Sequence, residues 1–395
     1  MNFQRPRSEE PGFYSADDCK VDDLRALIDQ SVATSDVPHA EKIIRNIPIY
    51  AGTSLGSILE EPAKRRALMA EWARTLSVGA GVLVIKGAQT DHDAIDHATG
   101  VFERIIHAEK QAGGEGADHF AAAGSNDRIW NAQQKLCLEA PDVYARVFAS
   151  PAIDAICEAW LGPNYQMTSQ VNLVHPGGQA QQAHRDYHLG FQTAEVSAQY
   201  PAHVHDLSPL MTLQGGIAHV DVPVESGPTK LLPFSQAYRP GYAAWRRPDF
   251  RELFEDRYVQ LPLEKGDALF FSPALFHAAG ENKSTDIHRM VNLLQVSSAF
   301  GRAMENLDRS GMCRALYPVL QKQMADGAFS VMQRDAVIAA TAEGYSFPTN
   351  LDLDPPSAGL APETQAALMR RHLDLGSAPE TFEADLARQD ARRRP

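Results

Sequence analysis

Between residues 166 and 300, apolar and polar side chains alternate in short runs. On either side, apolar residues instead recur at helical spacing. Alternation puts successive side chains on opposite faces of a strand, and helical spacing gathers them on one face of a helix. The middle region predicts strands at 166–174, 181–188, 211–222, 229–233, 257–263, 267–272 and 289–298. Turn signals separate them at Pro176-Gly177-Gly178, Ser226-Gly227-Pro228, Lys265-Gly266-Asp267 and Gly280-Glu281-Asn282. Many short strands punctuated this way predict an antiparallel sandwich or barrel. Upstream, helices are predicted at 21–32, 61–77, 91–107 and 139–161, with a short apolar strand at 81–85 and a Gly- and Ala-rich loop at 110–127. The first 45 residues otherwise read as polar. Downstream, helices are predicted at 302–326, 330–343, 362–374 and 379–393. The fold class is thus mainly β in its core, with helices packed around it from both ends of the chain.

Composition adds bounds. The chain has 395 residues, 44% of them hydrophobic, enough for a sizeable core. Neither helical flank has a self-sufficient core of its own, so residues 1–395 read as one domain. It has a lead-in at 1–165, a β core at 166–300 and a C-terminal extension at 301–395. A net charge of -13 disfavours nucleic acid and anionic membranes, both polyanions. No apolar run approaches the roughly 20 residues of a membrane span, and the first ten residues lack the apolar stretch of a secretory signal. Cys19, Cys137, Cys157 and Cys313 are widely separated and form no C-x-x-C, which suits a reducing compartment. The expectation is a cytoplasmic protein acting on a small molecule. Nothing in these patterns speaks to oligomeric state.

The candidate chemistry lies in histidines. Three H-x-D pairs occur: His184/Asp186, His219/Asp221 and His372/Asp374. In an extended segment, positions two apart share a face, so His184 and Asp186 aim at one point. That is two thirds of the 2-His-1-carboxylate set that holds non-haem Fe(II). His277 is the candidate third ligand. It follows the apolar stretch Ala268-Leu269-Phe270-Phe271 launched by Lys265-Gly266-Asp267. Arg289 lies twelve residues on, at the start of an apolar strand. A guanidinium is permanently charged and takes a carboxylate bidentately, so it suits the distal end of a 2-oxo diacid. His219/Asp221 reads as packing at the core or rim. His372/Asp374 falls on a helix, where positions two apart diverge, and is expected to face solvent. His188 shares the parity of His184 if the extended segment continues that far.

Four pieces in order now resemble the phytanoyl-CoA dioxygenase family of Fe(II)/2-oxoglutarate-dependent oxygenases. They are His184-Arg185-Asp186, Glu225-Ser226-Gly227-Pro228 with the stretch to Gln236, Lys265-Gly266-Asp267 running to His277, and Arg289 with its strand. The resemblance covers roughly 165–300. It implies a double-stranded β-helix (jelly roll) with iron at its open end, held by His184, Asp186 and His277. It implies that Arg289 holds the cosubstrate, with Thr168, Gln170 and Asn172 on the neighbouring strand. The implied reaction consumes O2 and 2-oxoglutarate, releases succinate and CO2, and hydroxylates a small organic metabolite. Asp186 is a carboxylate where related halogenases carry a small residue, which favours hydroxylation or another oxidation. Ala279, Phe234 and Gln236 depart from the family pattern. Tyr187, His188 and Trp130 are the candidate substrate contacts, with Phe191, Arg128 and Arg185 behind them. Two other readings stay open: a cupin-like metal enzyme built on His203, His205 and His219 without 2-oxoglutarate, and a non-catalytic β-sandwich binding protein.

Overall fold

A computed structural model describes residues 11–112, 125–346 and 350–394. Residues 113–124 of the predicted loop and the ten N-terminal residues lie outside them. The alternating segments assemble into one mixed sheet of eight strands. Across it run Lys42–Ile44, Ile47–Ala51, Val82–Lys86, Ala268–Phe271, Thr212–Ala218, Arg289–Ser297, Gln166–Val174 and Asn126–Ile129. All neighbours are antiparallel except Ile47–Ala51 with Val82–Lys86. A second, smaller ladder pairs Lys230–Leu231 with His277–Ala278. Single bridges from His184 to His277 and from Val259 to Leu231 widen it on both sides.

Strand parity separates the two faces of the large sheet. Leu83, Ile85, Leu213, Ile217, Phe270, Met290 and Leu294 point one way into a core shared with the helices. That cluster reaches from Tyr50 to Leu386 and includes Trp72, Phe102, Tyr144, Leu316 and Phe382. Each such side chain contributes about 1.5–3 kcal/mol on burial. The opposite face turns Val82, Val84, Leu269 and Phe271 toward Leu231, Leu261, Leu263 and Leu275 around the small ladder. On that same face, toward one end, the inward residues become polar: Gln170, Asn172, Gln214, Arg289 and Gln295.

Several boundaries differ from expectation, each for a local reason. The extended run at 181–188 ends at Asp186. Tyr187 and His188 take positive φ (60° and 33°), and the chain turns into the short helix His188–Phe191. That turn requires Gly190, where a Cβ would sit 2.1 Å from the Arg185 carbonyl oxygen. The predicted strand at 257–263 is reduced to bridges at Val259 and Leu263. The helix predicted at 139–161 divides into Pro141–Phe148 and Pro151–Leu161, because Pro151 starts a new helix capped by Ser150. The hairpin Lys42–Ile44/Ile47–Ala51 went unread. Its two-residue turn uses Arg45 and Asn46 at positive φ (49° and 68°), without the Asn-Gly that marks such turns. The C-terminal helices Arg309–Ala325 and Val331–Thr341 pack on Ala132–Glu139, Pro141–Phe148 and Pro151–Leu161, on the helical side of the sheet. Among the described residues, no helix is long and apolar enough to cross a membrane.

His372 is buried, contrary to expectation. The last helix, Pro379–Arg393, packs on its helix and brings Asp385 Oδ2 to 3.0 Å from His372 Nε2. His219 is buried as expected, with Nδ1 2.9 Å from Thr99 Oγ1 and no partner for Nε2. Burial pulls its pKa down from 6.5 to about 4, so the fold holds it neutral. The unfolded chain protonates His219 near pH 6.5 and the folded chain only near pH 4. Its contribution is therefore complete above pH 6.5 and is lost as pH falls toward 4, by roughly 3 kcal/mol. Urea unfolding across this range should show a steeper loss of stability in the wild type than in His219→Gln. Equal pH dependence in the two proteins would refute the assignment.

Candidate metal centre

The centre is built by one backbone bridge. His184 N donates to His277 O (2.9 Å) and His277 N donates to His184 O (3.2 Å). The two imidazoles consequently stand side by side, ring centroids 4.5 Å apart. Asp186 is two residues along the same extended segment. Its Oδ2 lies 3.3 Å from His277 Nε2 and its Oδ1 3.6 Å from His184 Nε2. One potential ligand atom from each of the three residues lies within 4.8 Å of the others, and among the described residues this is the one such group.

The tautomers follow from the neighbours. His184 Nδ1 lies 2.8 Å from Gln182 O and His277 Nδ1 2.8 Å from Leu275 O. A carbonyl only accepts, so each Nδ1 carries the proton and each Nε2 turns its lone pair to the centre. Burial lowers the pKa of His184, which favours the neutral ring. Burial alone raises the Asp186 carboxyl, but in the metal-free protein the imidazolium forms of His184 and His277, with the Gln214 amide, outweigh it and hold the group well below the usual carboxylate range. Neutral imidazole and ionised carboxylate are the forms that bind a metal.

Two supports surround the triad. Gln214 Nε2 donates to Asp186 Oδ2 at 2.5 Å and fixes its rotation. Sequence reasoning missed Gln214; the available signal was a polar residue at an inward position of a strand otherwise made of small and apolar residues. Arg185 faces away from the centre, as alternation predicts, and is buried. Its guanidinium sits against the Tyr242 and Phe276 rings and donates to Ser235 O (2.6 Å) and Tyr238 O (2.8 Å). It pins the segment from behind, so His184 and Asp186 look forward.

The triad opens on a cavity of about 910 Å³. Arg289 lines it, 5% exposed, donating to Ser226 O (2.9 Å) and Gly280 O (3.3 Å). No carboxylate pairs with it among the described residues. Burial brings its pKa down to about 10, which leaves it charged at neutral pH. Gln170 and Asn172 also line the cavity; Gln170 Nε2 and Asn172 Oδ1 are buried without partners. Thr168 does not reach it, because its hydroxyl donates across the ladder to Gln295 O (3.0 Å). Tyr187 does not line it either: the turn at positive φ sends its hydroxyl to Gln295 Oε1. His188 is carried by the same turn to a separate, smaller cavity, where Nδ1 meets Ser208 Oγ at 3.0 Å. Trp130, Phe191 and Arg128 do line the main cavity. His203, His205 and His219 are not brought together. His203 is exposed, His205 Nε2 bonds Ser197 O (3.0 Å), and His219 bonds Thr99.

Comparison with known proteins now adds to this geometry. The family model described as phytanoyl-CoA dioxygenase (PhyH) matches residues 64–291, more than half of the chain. The chain belongs to the phytanoyl-CoA dioxygenase family. Curated relatives include the dioxygenase andF of Emericella variicolor and the dioxygenase trt7 of Aspergillus terreus. Each is 26% identical over 147 residues, which cover 36% and 37% of this chain and 46% of each relative. The match thus spans about half the length of those relatives. Among solved structures, the non-heme alpha ketoglutarate dependent epimerase SnoN from nogalamycin biosynthesis is 23% identical, covering 60% of this chain and 84% of its own, with a TM-score of 0.38. SnoN in complex with Fe3+, alpha ketoglutarate and nogalamycin RO gives a TM-score of 0.41 at 23% identity, covering 60% of this chain and 85% of its own.

The phytanoyl-CoA dioxygenase family uses Fe(II), 2-oxoglutarate and O2, and the residues present fit those groups. Two Nε2 lone pairs and a carboxylate form the donor set of a non-haem Fe(II) site. A buried arginine without an anion, beside orphaned amide groups, fits a carboxylate-bearing cosubstrate. Groups that orient metal ligands tune affinity by ten- to a hundredfold. Gln214→Leu should therefore lower the Mn(II) affinity of the anaerobic protein by about that factor in a chelator-competition titration. Unchanged affinity would show that Asp186 is oriented without it.

Proposed function

We propose that the protein is an Fe(II)- and 2-oxoglutarate-dependent oxygenase that hydroxylates a small organic molecule. We infer that it does so as one domain, on a jelly roll formed by the large sheet and the small ladder. The observation that carries this reading is the pairing, on one cavity, of the His184/Asp186/His277 triad with Arg289, a buried cation that lacks an anion. The curated relatives are dioxygenases, which supports the same class of chemistry.

His184, Asp186 and His277 would hold the metal. Arg289 would take the distal carboxylate of 2-oxoglutarate, and Asn172 and Gln170 would offer amides along its length. When bound, iron and 2-oxoglutarate supply the oxidation: O2 and the oxo acid are consumed, succinate and CO2 leave, and one oxygen atom enters the substrate. The chain's own part is to position and to exclude water. Leu269, Phe271, Val291 and Leu293 make the adjacent walls apolar, and the Phe271 ring lies 4.7 Å from that of His277. Low polarity there strengthens every charge interaction with Arg289. Asp186 keeps the third protein ligand in place, which favours hydroxylation over transfer of a halide.

Anaerobic protein loaded with Fe(II) should develop the weak visible charge-transfer band of an iron-bound 2-oxo acid when titrated with 2-oxoglutarate. Asp186→Ala should lose both metal and band. Arg289→Leu should keep the metal and weaken 2-oxoglutarate by roughly 2 kcal/mol or more, over an order of magnitude. Metal binding without a band at saturating 2-oxoglutarate would overturn the reading.

A further inference from the structure

Two more cations stand beside the metal cavity without an anion. Arg251 lines the cavity from the first turn of the helix Pro248–Arg257. Arg246 precedes that helix, just after Gly241–Ala244. Both guanidiniums lie against the indole of Trp245, which with Arg251 lines the cavity: Arg246 Cζ is 3.8 Å from the ring centroid and Arg251 Cζ 5.9 Å. The same indole meets the His184 ring edge to face, centroids 6.5 Å apart. The two charges are therefore gathered on the His184 side of the metal centre.

Neither arginine pairs with a carboxylate among the described residues. Arg246 Nη2 donates to Gly190 O (3.2 Å) and to Gln192 O, both neutral. Arg246 Nη1, Arg251 Nε and Trp245 Nε1 are buried with no partner. The adjacent Arg247 shows the contrast, since it forms a two-pronged pair with Asp249. Burial and the neighbouring Arg251 charge both lower the pKa of Arg246, while Glu195 acts on it only from beyond ion-pair distance. Two like charges held together and partly desolvated are unfavourable until an anion joins them. The chain has 50 acidic residues and 37 basic ones, so partners for these arginines are not scarce in composition. Among the described residues, none forms an ion pair with either arginine here.

Arg289 already serves the cosubstrate in the reading above, on which this step rests. We propose that Arg251 and Arg246, both against the Trp245 indole, recognise an anionic group of the primary substrate, a carboxylate or a phosphate, and so hold the reacting carbon beside the metal. Guanidinium forks bind either oxyanion through paired N–H donors, and the free indole N–H adds a third donor. The site selects acidic small molecules over neutral analogues of the same shape.

The test uses protein loaded with Mn(II) and saturating 2-oxoglutarate, so that Arg289 is occupied. Benzoate, phenyl phosphate and neutral benzyl alcohol are titrated in separately by calorimetry. At least one of the two anions should bind, benzyl alcohol should not, and the stronger anion identifies the acid. Arg251→Gln should weaken that anion by about tenfold or more, with Arg251→Lys recovering part of the loss. Arg246→Gln serves as the second variant if the first does not fold. The inference is overturned if benzyl alcohol binds as well as the anions, if neither anion binds, or if the glutamine variants bind as the wild type does. The Fe(II)–2-oxoglutarate band is recorded on the same proteins. Its absence alongside binding that depends on Arg251 sinks the oxygenase reading and leaves the anion site standing; an intact band with binding independent of Arg251 sinks the anion site alone.

Discussion

The structure of the centre depends on a pair of backbone hydrogen bonds, those exchanged between His184 and His277. A bridge of this kind brings two residues from distant parts of the chain to adjacent positions, with side chains on the same side of the pleat. Asp186 follows by alternation alone. Every other feature secures that register. Arg185, pointing the opposite way, is locked against Tyr242 and Phe276, so a slip by one residue would drive a guanidinium into the cavity and two ligands into the core. Gly241 permits this lock, since a Cβ there would sit 2.0 Å from the Arg185 Cζ. The carbonyls of Gln182 and Leu275 then orient the imidazoles, and Gln214 orients the carboxylate.

Charge around the centre is arranged against the composition of the chain. The protein is strongly acidic, yet the cavity gathers Arg128, Arg251 and Arg289 on its walls, with Asp186 of the triad and Glu305 as the lining carboxylates among the described residues. Glu305 is turned toward the backbone, accepting from Asn131 N at 2.7 Å. A cavity with more cations than anions, enclosed by apolar walls, attracts anionic ligands more strongly than the surface charge suggests, because the local field is screened less than the global one.

What could be read from the sequence was what alternation and residue chemistry encode locally. The strands Gln166–Val174, Thr212–Ala218 and Arg289–Ser297 lay within the predicted runs, and parity put Thr168, Gln170 and Asn172 on one face; only the ladder register adds Arg289 to it. His277 was reachable because an apolar strand and a turn framed it. The losses came where tertiary contact overrides local pattern. Nothing local shows that the chain bends at Tyr187 and His188, because neither residue is a usual occupant of positive φ; the bend brings Gly190 so close to the Arg185 carbonyl that a Cβ there would clash. That one bend removed both Tyr187 and His188 from the cavity. Thr168 failed for another reason: it shares the face of Gln170 and Asn172, but its short side chain is satisfied by the adjacent strand. His372 was misread because a helix face is solvent-exposed only until another helix covers it.

The cavity's size bears on what the centre serves. Sites for single small ligands span about 300–1,000 Å³, and this one encloses about 910 Å³. From Arg289 to Gln295 the strand advances six residues, about 20 Å at the usual rise, and inward side chains line the cavity along that whole length. Gln295, Trp130, Met304, Trp245 and Arg251 lie on its wall as well. One cavity thus carries the triad and Arg289 on its wall together with Trp245 and Arg251, so cations stand at more than one place around the same space.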